Sequence, residues 1–358
     1  MDIAAFLKRK NIVISAKRYG IDALGAMAQG LFCSLLIGTI IRTLGQQLGI
    51  PFFVDIGQFA FDMSGPAMAV AIGYALQADP LVLFSLAGVG WAANKLGGAG
   101  GPLAVLFIAV LAAECGKLVS KETKVDILVT PAVTVFVGGA LALLIAPPIG
   151  AAARAFGQLI VLTTEFQPFW MGIAVSVLVG IALTLPISSA AICASFGLVG
   201  LAGGAAVAGC CAQMVGFAVM SFPENRWGGL VSQGIGTSML QMPNIVKNLR
   251  IWIPPTLASA ITGPMATCLF RLQMNGEPVS SGMGTCGFVG QIGIWTGWLS
   301  PSETAVEMVG ASPITPTAFH WLGLILICFV LPALLSWVIC QGCRRMGWIK
   351  EGDLTLPQ

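Results

Sequence analysis

The chain has 358 residues, of which 56% are hydrophobic and only 9% charged, with a formal net charge of +3. A water-soluble domain carries about 25% charged residues, so a soluble globule, and with it the two-domain soluble enzyme that this length could otherwise hold, is excluded. The basic residues form no nucleic-acid-binding patch, and composition points to an all-α polytopic membrane protein.

The N-terminal stretch MDIAAFLKRKNIVISAKRYG carries its charges after a short apolar run rather than before one, so it is not a cleavable signal peptide. It predicts an amphipathic cytoplasmic segment over residues 1–20, with Lys8, Arg9, Lys10, Lys17 and Arg18 facing water and lipid head groups. A span needs roughly 20 apolar residues. Runs of that kind are Ile21–Ile41, Gly57–Gln77, Pro102–Leu118, Ile127–Pro147, Phe169–Leu185, Ile192–Met220, Ile251–Arg271 and Thr315–Cys340. Leu81–Ala93 is shorter and ends in Asn94 and Lys95, which reads as half a span or a tilted one.

Basic clusters set the orientation. They lie at Lys8–Arg18, Lys117–Lys124, Lys247 with Arg250, and Arg344–Lys350. Placing all four in the cytoplasm puts both termini inside and demands an even number of crossings, about ten. One of these must be made by GGLVSQGIGTSMLQMPN (Gly228–Asn244), which is too polar and glycine-rich for a lipid-facing helix. A second such stretch, GMGTCGFVGQIG (Gly282–Gly293), has five glycines in twelve residues. It is too glycine-rich for a good helix, too apolar for a surface loop, and must enter and leave on one side.

Irregular backbone at membrane depth is tolerated only where protein buries it or a wet cavity solvates it. Transporters build solute sites from such broken segments, whose free N–H and C=O groups point inward. Glycines elsewhere, such as Gly203 and Gly204, read as close helix packing. The two broken stretches also carry Gln233, Thr237, Gln241, Asn244, Thr285 and Gln291, more hydrogen-bonding capacity than a packing seam needs. Glu224 and Asn225 in FPENRWGG directly precede the first stretch. A carboxylate there could accept two hydroxyls of a polyol, with Trp227 stacked on a sugar ring; the bland reading is a Glu–Arg pair at the membrane edge.

Intramembrane charges are costly and usually functional. Asp62 precedes the Ser64-Gly65-Pro66 break and reads either as a proton or ion coupling site or as an interfacial carboxylate beside Asp55. Glu114 lies one turn from the cytoplasmic surface and reads as a surface group. MSGPAMA (Met63–Ala69) and ITGPMAT (Ile261–Thr267), and likewise CASFGLVGLAG (Cys193–Gly203) and CGFVGQIG (Cys286–Gly293), are faint internal echoes of the kind transporter repeats leave.

Ten cysteines are scattered through apolar segments, where they act as small hydrophobes. Cys340 and Cys343 make a CxxC with no second pair, and His320 is the single histidine, so no metal site is expected. His320 reads as a satisfied buried side chain. No enzymatic constellation and no phosphate-binding GxxxxGK[ST] pattern appear. No cofactor is expected, and transport would be secondary, facilitated or powered by a partner.

The run ENRWGGLVSQGIGTSMLQMPNIVKNLRIWIPPTLASAITGPMAT, followed by GMGTCGFVGQIG, resembles the EIIC membrane subunits of the bacterial sugar phosphotransferase system. More narrowly, it resembles the stand-alone branch that includes perfringolysin O regulator-like proteins. The resemblance implies an all-helical homodimer in the bacterial inner membrane, with about ten crossings and re-entrant hairpins that hold a sugar or sugar-like solute. It also implies separate EIIB and EIIA partners, EIIB phosphorylating the bound sugar. The chain departs from that pattern in containing no EIIA- or EIIB-like soluble segment. Its histidine lies outside the motif region, so a sugar-contacting histidine–glutamate pair does not carry over. The organisation expected is residues 1–20 as a cytoplasmic segment, 21–343 as one transport domain and 344–358 as a cytoplasmic tail. Two functions follow: transport of a sugar-like solute by alternating access, or a membrane regulator using the same pocket without phosphorylation-coupled transport. For either, the expected binding residues are Glu224, Asn225, Gln233, Thr237, Gln241, Asn244, Thr285 and Gln291.

Overall fold

A chain this apolar must satisfy its backbone internally, and every named element is helical. The computed structural model describes residues 3–356. Among them there is no strand, only an isolated bridge between Gly200 and Met274. The chain divides into two units, Met1–Ala153 and Arg154–Gln358.

In the first unit, α1 (Ile3–Arg9) stops at Asn11, whose φ of 52° is left-handed. The amphipathic helix is therefore shorter than the 20 residues expected. Nor do all its cations face water: Lys10 contacts Glu122 and the Ser120 carbonyl, and Arg18 donates to Leu76 O at 2.5 Å and Asn11 Oδ1 at 3.2 Å. Next, α2 (Arg18–Leu48) ends at left-handed Gly49, and α3 (Pro51–Asp62) doubles back against its second half. Glycine past one helix end and proline opening the next make this a tight helical hairpin.

The expected span Gly57–Gln77 is two helices, α3 and α4 (Ser64–Ala75), because Met63 leaves the helical region at φ −83°, ψ 7°. Pro66 has no N–H to bond back to residue 62, which weakens the ladder at that point. Leu81–Ala93, expected as half a span, belongs to the full 18-residue helix α5 (Pro80–Gly97). Its polar end is accommodated in the last turn, where the Lys95 ammonium sits 4.6 Å from the Trp91 ring centroid. A glycine turn reverses the chain into α6 (Gly101–Val119), which packs on α5. Then α7 (Asp126–Thr164) runs 39 residues through Pro131, Pro147 and Pro148, past the expected end at Pro147.

The second unit is built around α10 (Gly200–Met220). Packed on it are α8 (Pro168–Thr184), α13 (Ile253–Pro264) and α16 (Ala318–Arg345). Small residues let the backbones meet: a Cβ on Gly209 would lie 1.8 Å from Ser176 O, and one on Gly263 2.0 Å from Gly172 O. The expected span Ile192–Met220 is interrupted after α9 (Ser189–Ser195) by a turn through left-handed Gly197 and Gly200. Between these helices lie α11 (Phe222–Val231), α12 (Met242–Lys247), α14 (Val289–Leu299) and α15 (Glu303–Val309).

Among the described residues, five helical stretches are long and apolar enough to cross a membrane: α2, Pro80–Val119 (α5 and α6), α7, α10 and α16. The shorter α8 is also apolar. Large apolar side chains stand exposed, among them Phe84, Phe136, Leu143 and Leu144. A surface of that kind suits lipid, and the protein is an all-helical membrane protein.

Candidate functional site

The first glycine-rich stretch does not form a continuous helix. Arg226 (φ 52°, ψ −150°) kinks α11, a π-helical turn covers Ser232–Gly236, Thr237 is extended, and Ser238–Gln241 makes a 3-10 turn into α12. Those breaks turn side chains inward rather than around a helix surface, and Gln233, Ser238 and Gln241 are wholly buried. Buried amides must find partners, and they find one another. Gln233 Nε2 donates to Ser221 Oγ at 2.8 Å and to Gly229 O at 2.9 Å. Gln241 Nε2 donates to Gln233 Oε1 at 2.8 Å, and Asn244 Nδ2 to Gln241 Oε1 at 2.8 Å. The result is a ladder of amides in which each step fixes the orientation of the next.

The ladder's outer donors meet the C-terminal segment, which folds back after left-handed Gly347. Gln241 Nε2 reaches Leu354 O at 3.0 Å and Asn244 Nδ2 reaches Thr355 O at 2.8 Å. Asn225 brackets the same segment, its Nδ2 donating to Leu354 O at 2.8 Å and its Oδ1 accepting from Leu356 N at 2.9 Å.

Beside Asn225, Glu224 is bound by Arg344 of α16 at 2.6 Å, not by Arg226. The pair is mostly buried, and Glu224 Oε2 has no partner. Trp227 is exposed and packs edge-to-face on Phe222, with ring centroids 5.4 Å apart. Thr237 caps the 3-10 turn, its hydroxyl oxygen accepting from Met239 N.

The second glycine-rich stretch is irregular only over its first half. Gly284, Gly287 and Phe288 all have positive φ, and then Val289–Leu299 is helical despite three glycines. The expectation that glycine would exclude a helix there is corrected by packing: a Cβ on Gly290 would meet Gly284 O at 2.5 Å, and one on Gly297 would meet Gly276 N at 2.3 Å. The close contacts outweigh the propensity cost of roughly 1 kcal/mol per glycine. The turn Cys286–Phe288 packs against Ser232–Gly236, so the two stretches meet. Thr285 and Gln291 point to sulfur on α10: Thr285 Oγ1 lies 3.6 Å from Met214 Sδ, and Gln291 Nε2 lies 3.2 Å from Cys211 Sγ. Thioether and thiol are weak acceptors, and Gln291 Oε1 is buried with no partner at all.

The structure thus joins Asn225, Gln233, Gln241 and Asn244 in one network, with Glu224 beside it and Thr285 and Gln291 held separately on α10. Asp62 lies in the other unit, exposed, accepting from Gln58 Nε2 at 2.7 Å while Gln58 accepts from Arg42 at 2.8 Å. Glu114 is not a surface group: it pairs with buried Lys117 at 2.9 Å and accepts from the Tyr19 hydroxyl at 3.1 Å. His320 is half-buried rather than buried; its Nδ1 caps the start of α16 through Thr317, and its ring sits edge-on to Trp298.

Sequence reasoning missed a second buried network. Gln213 Oε1 accepts from Trp252 Nε1 at 2.9 Å and from Thr184 at 3.3 Å, its Nε2 donates to Thr256 at 3.2 Å, and Thr184 meets Ser238 at 2.8 Å. A lone glutamine inside an apolar helix was the available signal.

A family model described as "Phosphotransferase system, EIIC" matches residues 21–356. No curated protein and no solved structure matches the chain.

Proposed function

Because the chain belongs to the phosphotransferase-system EIIC family, a family of sugar-transporting permease subunits, we propose that it carries a sugar or related polyhydroxylated solute across the bacterial inner membrane. The solute binds between the two broken stretches of the second unit. The observation that carries this reading is a set of buried, incompletely satisfied polar groups where an apolar core would be cheaper. Glu224 Oε2 and Gln291 Oε1 are buried acceptors without donors, suited to solute hydroxyls. Asn225, Gln241 and Asn244 offer amide donors, and Gln233 and Thr237 hold the frame. Leaving such acceptors unpaired costs about 1–3 kcal/mol each, a cost that a ligand's hydroxyls would relieve.

The finer features go with this reading: about ten crossings, both termini in the cytoplasm, one transport domain over residues 21–343, alternating access and a homodimer. Separate EIIA and EIIB proteins would supply phosphate, and Asp62 remains a candidate coupling group. A regulator that binds without transporting gains no support from the family or the fold.

The test is a thermal-stabilisation screen of sugars, sugar acids and polyols on the purified protein. A ligand at 100 times its Kd stabilises by about 2.7 kcal/mol. The expected hit is lost in Gln291→Ala and in Glu224→Ala and is carried into reconstituted liposomes by the parent protein. A hit retained by both variants would refute the site.

A further inference from the structure

The outer face of the amide ladder is already engaged, and by backbone. After α16 the chain turns at Gly347 (φ 70°), runs to Gly352 (φ 87°) and lays its next residues across Asn225, Gln241 and Asn244. Two amides converge on one carbonyl, Leu354 O, and a third takes Thr355 O. Asn225 closes a two-way bracket by accepting from Leu356 N. Asn248 adds Nδ2 bonds to Trp348 O at 3.0 Å and Asp353 Oδ2 at 2.8 Å, and Asp353 in turn accepts from Lys350 N at 2.9 Å.

The pattern recognises a turned peptide, closed by its own Asp353 N–Lys350 O and Thr355 N–Gly352 O hydrogen bonds, through its remaining backbone amide groups and two buried apolar side chains. Leu354 is wholly buried, whereas Lys350, Glu351, Gly352 and Thr355 are exposed. A segment integral to the core would bury most of its length. This one is anchored by two apolar side chains, Ile349 and Leu354, on either side of left-handed Gly352, with exposed residues between and after them. It also covers the donors to which the solute reading assigns hydroxyl recognition.

We infer that Asn225, Gln241, Asn244 and Asn248 form a peptide-binding site whose resident ligand is the chain's own segment Gly352–Leu356, and that solute and segment compete for it. The competition rests on the solute reading above; the peptide site does not. Carbonyl oxygens of the segment occupy the positions that hydroxyl oxygens of a solute would take, so the segment must leave before the amides can turn to a solute. Apparent solute affinity then falls by the fraction of time the site is free.

The test uses a variant ending at Trp348 and a fluorescein-labelled peptide of residues Ile349–Leu356, read by anisotropy. Saturable binding is expected, weakened about tenfold or more by Asn225→Ala with Asn244→Ala in the protein or by Leu354→Asp in the peptide. Glucose and sorbitol serve as competitors. Displacement by either supports both the site and the competition. Peptide binding that a sugar leaves in place although that sugar stabilises the protein upholds the peptide site and overturns the competition; peptide binding in a protein that neither sugar stabilises upholds the peptide site and counts against the solute reading on which the competition rests. No peptide binding by a monodisperse variant with parental melting overturns the inference and leaves the solute screen standing by itself. Should the shortened chain not fold, Leu354→Gly in the full chain replaces it as the acceptor for the same peptide. There, too, absent binding counts against the site.

Discussion

Replacing Gln241 with Met keeps the side-chain volume and removes every hydrogen bond. Gln233 Oε1, wholly buried, then loses its donor, and Asn244 Nδ2 loses one of its two acceptors. Leu354 O keeps Asn225 and suffers little. Two buried groups left short at about 1–3 kcal/mol each give an expected destabilisation of about 2–6 kcal/mol. Gln233→Met strands Gln241 Nε2 only partly, since that amide still holds Leu354 O. In the double variant the orphaned Gln233 oxygen is gone, so its penalty disappears. The double variant should therefore be more stable than the sum of the singles by about 1–3 kcal/mol. The measurement is SDS-induced unfolding in mixed micelles followed by tryptophan fluorescence, on all four members of the cycle. Additivity within about 0.5 kcal/mol would show that the ladder is not an energetic unit.

Three further outcomes follow from other contacts. Gly209→Ala drives a methyl into the Ser176 carbonyl and should cost at least the roughly 1–3 kcal/mol of an overpacked core, while Gly342→Ala, which meets nothing within 4 Å, should be neutral or stabilising by about 0.4–1 kcal/mol; equal melting shifts would refute the packing account. Arg344→Met leaves Glu224 buried with neither oxygen paired and should cost about 3–5 kcal/mol, whereas adding Glu224→Leu should recover most of it; failure of the second change to rescue melting would remove the pair from the argument. Burial alone would raise the Asp79 carboxyl, but hydrogen bonds from Lys121 and Ser120 outweigh it and hold the group below the ordinary aspartate value of 3.8, while Asp79 raises Lys121 above 10.5. Their mutual stabilisation is thus complete between about pH 4 and 10, is lost as pH falls through the depressed aspartate value, and fades again above the raised lysine value. The melting difference between parent and Asp79→Asn should be flat from pH 5 to 8 and shrink below 4; a slope within the neutral range would contradict the pairing.

How much of this was legible beforehand depended on range. The ladder was visible because Gln233, Gln241 and Asn244 are too polar for lipid and too close together for accident, and their inward turn follows from desolvation alone. The helix Val289–Leu299 was not visible, because local propensity argues against it and only the close approach of the Gly276 and Gly284 backbone reverses the balance. Arg344 as the partner of Glu224 lies 120 residues away in sequence, and nothing in composition marks it above Arg226. The same holds for residues 353–356, Asp-Leu-Thr-Leu, whose partners are set by where α16 deposits them. Asp62 and Glu114 were singled out by the cost of intramembrane charge, and that rule finds candidates without saying which face they take. Gln213, polar but uncharged, falls outside that rule and was passed over among small residues.

The five long apolar stretches differ in a way that bears on how the protein is made. The central helix Gly200–Met220 is the least apolar of them and the most enclosed, whereas Ala318–Arg345 is the most apolar and among the more open. A ribosome-bound insertion machine reads each segment against lipid, one after another, before any tertiary partner exists. By that reading Ala318–Arg345 enters on its own account, while Gly200–Met220, Gly228–Asn244 and Gly282–Gly293 gain little from lipid and much from neighbours. Assembly of the second unit must therefore be held open until its last helix has been synthesised, and the buried amide ladder is the final part to close.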